Sequence, residues 1–312
     1  MLPPDKSPSS VAYTAGHFEL SLDRAKTTSY LKSLDGGYMG HNLISESIGG
    51  ENKQVKHAAL ADIEPVTCEL GMSGSTSVLQ WIQDSWNRNY QQRSGQINHA
   101  NFNMDLVYEH EFSDALITET TFPTLDGSSK EAAYLKVKFQ PKAVATRKVN
   151  GPKLTPVGGA KQKMWLCSAF RFNIDGIDDA KYTNKIESFT IKQGIKKLNV
   201  GRFREIELAP TKIEFPNLSA TISLDKADGI LEWYEKYVVK GHRDPKAQKS
   251  GSIEFLTPDR NEVLFRITLF NMGLLKAQMQ QSTANSDTIK RVKFELYVTE
   301  MKLDGPGALG LE

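Results

Sequence analysis

Gly229-Ile-Leu-Glu-Trp-Tyr-Glu-Lys-Tyr-Val-Val-Lys240, Gly241-His-Arg-Asp-Pro-Lys-Ala-Gln-Lys-Ser250 and Gly251-Ser-Ile-Glu-Phe255 read in turn as a helix, a basic connector and a strand. Ile230, Tyr234, Tyr237 and Val238 recur at helical spacing and predict one apolar stripe. Pro245 and Gly251 break that pattern, and Ile253 and Phe255 resume it at period two. An earlier stretch has the same order. Val78-Leu79-Gln80-Trp81-Ile82 leads through Trp86 to Arg93-Ser94-Gly95-Gln96-Ile97. Leu79-x-Trp81 matches Leu231-x-Trp233, and Gly95 matches Gly251 in a basic-Ser-Gly-x-Ile frame.

Working outward, further pairs fall in the same order. Phe18-x-Leu-x-Leu-Asp23 matches Phe170-x-Phe-x-Ile-Asp175, and Trp81 matches Trp233, both at an offset of 152. Ser94-Gly95 matches Ser250-Gly251 at 156, and Phe112-x-x-x-Leu-Ile117 matches Phe270-x-x-x-Leu-Leu275 at 158. Val137-Lys-Phe139 matches Val292-Lys-Phe294 at 155. Alternating strands resemble one another, so each match is weak alone. Their common order predicts a tandem duplication.

Each unit carries alternating strands around one helix. Phe18, Leu20 and Leu22 open the first, and Leu135, Val137 and Phe139 close it. Between them lie a Gly- and Asn-rich long loop or extended hairpin at 35–57, a strand at Ile63 to Leu70, and alternation from Phe102 through Met104 and Leu106 to Tyr108. The second unit repeats this with Phe170 to Ile174, Ile186 to Ile191, a basic loop from Lys192 to Arg204, the helix from Ala227 to Val239, and the strands of Val263 to Leu269 and Val292 to Val298. Alternation implies antiparallel sheet with one face buried. One helix cannot cover both faces, so each sheet must curl into a barrel or sandwich with the helix plugging one side. The expected fold class is mainly β, with tandem β-barrel or sandwich domains. The boundaries read as a flexible tail at 1–14, a β domain at 15–140, a linker at 141–164, a second β domain at 165–304 and a tail at 305–312. The linker is Pro- and Gly-rich and carries six basic residues but no acidic one.

Composition narrows the function. The 312 residues include 39 Lys plus Arg against 37 Asp plus Glu, a net charge of +2. That balance speaks against a dedicated nucleic-acid binder, which shows a basic excess or face. No apolar run reaches the ~18 residues of a membrane helix. Cys68 and Cys167 lie in different halves, which fits buried thiols better than a disulfide framework.

No catalytic or cofactor pattern emerges. His41, His57, His99 and His110-Glu111 lack the spacing of a helical zinc site and read as surface histidines flanking a loop and a strand. Gly158-Gly-Ala-Lys161 lacks the first Gly and the Ser/Thr of a phosphate loop. Ser73 is not framed as a nucleophile elbow. Asp178-Asp179, Glu205 and Glu207 read as solvated charge, and Trp233, Tyr234 and Tyr237 as core. Neither a metal nor a cofactor is expected. Trp81, Gly95, Trp233 and Gly251 form the core signature. Lys192, Lys196, Lys197, Arg202, Arg204, Arg243, Lys246 and Lys249 are candidate contacts between subunits.

The second unit resembles the tail tube proteins of contractile phage tails and contractile injection systems. The resemblance runs through Phe170-Arg-Phe-Asn-Ile-Asp-Gly176, Ile186-Glu-Ser-Phe-Thr190, a charged hairpin from Gly194 to Glu207, Leu231 to Phe255, Leu269-Phe-Asn271 and Arg291 to Leu303. It extends more loosely to residues 16 to 140. Asp35-Gly-Gly-Tyr-Met-Gly40 departs from the pattern, Pro123 to Lys130 has no twin, and two tube domains in one chain is itself a departure. The resemblance implies a non-enzymatic structural protein, a tail tube or a tube initiator or hub, that assembles with itself into hollow rings. Three chains with pseudo-sixfold symmetry are favoured over six. Neighbouring tube, baseplate or hub proteins would be partners, and DNA or an effector would pass through the lumen. Such a protein is cytoplasmic during assembly and then part of a virion tail or injection particle, with no membrane contact. The alternative is a non-tube β-sandwich that binds carbohydrate or protein, or a related enzyme.

Overall fold

The computed structural model describes residues 16–23, 29–49, 53–71, 75–154, 165–200, 205–280 and 289–305. The first unit opens with β1 (His17–Leu22) and β2 (Ser29–Gly36), followed by the hairpin of β3 (Met39–Ile48) and β4 (Lys53–Ile63). Then come β5 (Val66–Leu70), α1 (Thr76–Trp86), β6 (Arg93–Ala100), β7 (Leu106–Phe122), β8 (Leu125–Asp126), β9 (Leu135–Gln140) and β10 (Ala143–Lys148). The second unit runs β11 (Phe170–Ile174), β12 (Thr183–Ile186), the hairpin of β13 (Phe189–Val200) and β14 (Glu205–Glu214), and β15 (Leu218–Ser223). α2 (Asp228–Tyr234), β16 (Lys249–Leu256), β17 (Val263–Met279), β18 (Arg291–Tyr297) and β19 (Glu300–Asp304) complete it.

Both units are barrels. In the first, β1–β6–β7–β9–β5–β2 returns to β1 through antiparallel pairs. The second follows β11–β16–β17–β18–β15–β12–β8 and stops just short of closure. The alternation that suggested strands has its physical basis in burial. Val292, Phe294 and Leu296 point inward while Lys293 and Glu295 lie between them. α1 buries Val78, Leu79, Trp81, Ile82 and Trp86. α2 buries Ile230 and Trp233, then continues into a π-helical turn that buries Tyr237. Buried residues of both barrels belong to one continuous core.

Strand registers demonstrate the repeat residue by residue. Leu22 faces Gly95 as Ile174 faces Gly251. The same ladder irregularity precedes each glycine, between Arg93 and Gly95 and between Lys249 and Gly251. The hairpins are bulged at equivalent points, His41/Leu43 and Gln193/Ile195, which are 152 residues apart. Gly95 and Gly251 each sit against a neighbouring backbone. A Cβ on Gly95 would lie 2.3 Å from the Ser21 carbonyl oxygen, and one on Gly251 would lie 2.3 Å from that of Asn173.

Two of the five sequence matches shift in register. Gly95 faces Phe112 and Gly251 faces Leu269, so Phe112 corresponds to Leu269 rather than to Phe270. Asp114 and Asn271, both left-handed at φ 50°, confirm this offset of 157. Likewise Thr120 faces Val137 where Ala277 faces Phe294, so Val137 corresponds to Phe294 and Phe139 to Leu296. A slip of two residues leaves the inward face unchanged and is invisible to an alternation pattern. A slip of one reverses it, and Leu269 is buried where Phe270 is only partly so.

Other local expectations need correction. Most of the basic loop at Lys192–Arg204 is strand β13, whose lysines stand on its exposed positions. Phe102 and Met104 lie in the connection before β7 rather than in a strand; Phe102 is exposed and Met104 has a left-handed φ of 66°. Part of the expected linker is β10, which pairs with β7 from Ala143↔Ser113 to Lys148↔Tyr108. The expected tail at 1–14, linker residues 155–164 and most of the tail at 305–312 lie outside the described residues.

Gly251→Val places branched carbon against the Asn173 carbonyl and the Met272 side chain. It should lower stability by about 1–3 kcal/mol or more, the range for overpacking. A denaturant midpoint equal to that of the native chain would refute this.

Candidate assembly interface

The barrels are joined by strand pairing. One edge of β7 carries β6 along its first part and β13 at its end, in the register Phe189↔Phe122, Thr190↔Thr121, Ile191↔Thr120 and Lys192↔Glu119. The Thr121 and Thr190 hydroxyls are 2.9 Å apart, and Ser188 Oγ donates to the Phe122 carbonyl at 2.8 Å. β8 of the first unit likewise pairs with β12 of the second. Phe122 stacks on Phe189 with centroids 5.1 Å apart and on Phe255 at 5.6 Å. Trp165 meets Phe255 and Phe265 edge-on at 5.4 Å. Such aromatic pairs contribute about 0.5–1.5 kcal/mol each beyond burial, and exposed ion pairs about 0–1 kcal/mol. The junction is therefore held chiefly by apolar packing and backbone hydrogen bonds. The ion pairs Lys142–Glu207 and Lys197–Asp62, both 2.6 Å, flank it.

The two hairpins share a register but not an environment. In the docked hairpin, Phe189, Ile191, Gln193 and Leu208 are buried. In the first hairpin every residue of β3 is exposed, with Met39 at 59%, Leu43 at 65% and Ile48 at 55%. Among the described residues, β3 and β4 pair only with each other. The end of β17 also differs from the end of β7. Residues Lys276 to Met279 pair with β18 on one side, and no described strand occupies the other.

Of the core-signature residues, Trp81 and Trp233 are buried, and Gly95 and Gly251 lie against neighbouring backbone. Trp81 is buried against Phe139 at 5.4 Å and donates its indole N–H to the Gln91 carbonyl at 3.0 Å. Trp233 is buried beside Tyr237. The basic candidates do not form one cluster. Lys197 is tied to Asp62 and to the Ile63 carbonyl. Arg243 donates to the carbonyls of Tyr237 and Val238 at the end of the helix. Lys249 donates to the Asp175 carbonyl and stands 5.9 Å from the Trp233 ring centroid. Lys192 and Lys196 are exposed on β13, and Lys246 is exposed on a 3-10 turn. Arg202 and Arg204 lie outside the described residues. Sequence reading missed Tyr297, whose hydroxyl lies 2.5 Å from that of Tyr237 and accepts from Gln248. Burial first, then this partner, pushes the Tyr237 hydroxyl up to about 12.

Residues 14–144 match the family model described as T4-like virus tail tube protein gp19. This first unit is a tail-tube domain. The second unit repeats its strand order and registers. Similar solved structures include the sheath-tube complex of an extracellular contractile injection system (PVC) in the extended state, at 18% identity and a TM-score of 0.38, covering 45% of this chain and 95% of that one. The tube-terminating cap of the anti-feeding prophage (AFP) is similar at 16% identity and 0.38, covering 46% and 97%. Hcp1 from Flavobacterium johnsoniae follows at 11% identity and 0.27, covering 44% and 95%. A search of curated proteins found no match.

One end of the first tail-tube domain corrects the expectation of surface histidines. His99 and His110 share the inward face of β6 and β7 with Ile97 and Phe112. His99 meets Phe18 and Tyr108 edge-on at 5.1 Å, and Tyr38 covers His110 at 5.3 Å. Burial, aided by the charge of His110, lowers His99 to about 4, and burial also lowers His110. Folding therefore makes both harder to protonate than an unfolded histidine, which takes a proton near its ordinary value of 6.5. Stability should therefore fall as pH drops from about 6.5 toward about 4. Replacing His99 with Leu should flatten that fall in thermal melts across the window. Identical pH profiles for the two proteins would contradict this.

Proposed function

We propose that the chain is a structural element of the inner tube, or of its initiating or hub segment, in a phage tail or contractile injection particle. The match of residues 14–144 to the tail-tube family carries this reading, and the internal copy extends it to the whole chain. The domains associate with copies of themselves and with neighbouring tube or baseplate proteins. Three chains supply six barrels to one hollow ring; six chains making a double-height segment is the competing arrangement. The joining of the two domains by strand pairing, rather than by a loose tether, supports the three-chain ring. DNA or an effector protein passes through the lumen, for which a near-neutral net charge is suitable because strong basic patches would hold a polyanion. Assembly takes place in the cytoplasm before the particle is completed. The reading assigns no catalytic group.

Negative-stain electron microscopy of the purified chain should reveal hollow rings or short tubes, and native mass measurement should count three chains per ring. Dispersed monomers at high concentration would sink the assembly reading. Six chains per ring would overturn the pseudo-sixfold arrangement alone.

A further inference from the structure

We infer that charges reversed between the two barrels assign each barrel its own final strands, and so keep two otherwise similar units from trading them. The inference does not depend on the assembly reading. Each unit ends in a strand and its short continuation, β9 with β10 in the first and β18 with β19 in the second, laid along β7 and β17. The two seams share one register at an offset of 157, so their positions compare one to one. In the first seam Glu109 faces Arg147 and Glu119 faces Lys138. In the second, Arg266 faces Asp304 and Lys276 faces Glu295. At these positions the long strand is acidic and the final strands basic in the first barrel, and both signs are reversed in the second. The reversal reaches across the sheet. The cross-strand row Glu19, Asn98, Glu109, Arg147 has Arg171, Glu254, Arg266, Asp304 as its counterpart.

Apolar packing does little to tell the two sets of strands apart. Leu135, Val137 and Phe139 of the first barrel and Val292, Phe294 and Leu296 of the second are buried with the same alternation. The segments leading into them, residues 123–134 and 280–290, are long enough to span roughly 35–40 Å. Exchange between domains is a characteristic failure of tandem and repeat proteins. Charge does separate the two outcomes. With the registers kept, exchange sets Arg147 against Arg266 and Lys138 against Lys276, and sets Asp304 against Glu109 and Glu295 against Glu119. Every one of these oppositions changes from unlike to like charge, which is destabilising directly across a ladder. One position runs the other way, since Lys302 would meet Glu111, but Glu111 would lose Arg147, 2.8 Å away in the native pairing. The carboxylates in the middle of the row are shielded from water. The Glu109 and Glu254 side chains are only 12% and 10% exposed, so a like charge brought beside them is screened less than on an open surface. Glu109 accepts from Arg147 at 2.6 Å, and Glu254 accepts from Arg266 at 2.7 Å and Arg171 at 3.1 Å. Selection between such similar partners needs the repulsive element as well as the attractive one.

The test recharges one seam to copy the other and reads strand pairing by disulfide trapping. Ser113 faces Ala143, and Phe270 faces Glu300 at the equivalent position. Ser113→Cys with Ala143→Cys therefore reports native pairing. Ser113→Cys with Glu300→Cys reports exchange, as a shifted monomer or a covalent dimer on a non-reducing gel. The native Cys68 and Cys167 are buried. After refolding from denaturant and mild oxidation, the chain with its native charges should give the native trap alone. Arg266→Glu, Lys276→Glu, Glu295→Lys and Asp304→Arg give the second seam the charges of the first, and Glu254→Asn copies Asn98 so that Arg266→Glu gains no like-charged neighbour. This recharged chain should show the exchange trap as well, with a matching loss of the native one. Adding Glu109→Arg, Glu119→Lys, Lys138→Glu and Arg147→Asp makes the seams unlike again and should restore the native trap alone. Native trapping alone in the singly recharged chain would overturn the inference. Equal exchange in the singly and doubly recharged chains would also overturn it, by tracing exchange to general disruption, as would a doubly recharged chain that does not fold. A singly recharged chain that fails to fold while the doubly recharged one folds would support it, because the more heavily substituted chain differs in having unlike seams.

Discussion

A β-strand edge carries backbone N–H and C=O groups that must find partners, and most of this molecule is arranged around where those partners come from. The first barrel closes on itself, so along the closed circuit each strand has a neighbour on both sides. β7 is longer than the barrel requires, and its overhanging end presents an edge that the second unit fills with β13. The first unit returns the exchange through β8, which extends the sheet of the second past β12. The aromatic cluster of Phe122, Phe189, Phe255, Phe265 and Trp165 then packs behind the shared strands. Two domains that are separable in sequence are thus one body in packing, with a continuous core.

The architecture was legible in the sequence because its signals are periodic. Trp81 and Trp233, Gly95 and Gly251, and the alternating runs at Phe18 and Phe170 identify equivalent positions without coordinates. Strand register was legible only in part. The match of Val137-Lys-Phe139 to Val292-Lys-Phe294 is two residues off because alternation repeats every two residues. Phe112 was paired with Phe270 because like residue types were aligned, although packing equates it with Leu269. The histidines were misjudged for a related reason. His99 and His110 follow the parity of Ile97 and Phe112, which marks them as inward, but a titratable side chain is read by default as solvated.

The assembly surface was the least legible part, because its determinants are positions rather than residue types. The basic residues that drew attention serve separate local purposes, such as an ion pair at Lys197 and a helix end at Arg243. What distinguishes the two hairpins is not charge. Their ladders are alike, and one is buried where the other is exposed. The apolar residues of the exposed hairpin, Met39, Leu43 and Ile48, are unusual on water-facing strands and are in keeping with a surface reserved for another protein.

Fusing two domains into one polypeptide has a thermodynamic consequence at the β7–β13 pairing. Between separate molecules, that contact would cost several kcal/mol of translational and rotational freedom. Within one chain it is a loop closure, whose cost grows only logarithmically with length. The pairing is therefore populated at any dilution, with an effective concentration set by the connecting segment rather than by how much protein the cell makes. The mass-action burden is confined to whatever contacts the joined pair makes with other molecules.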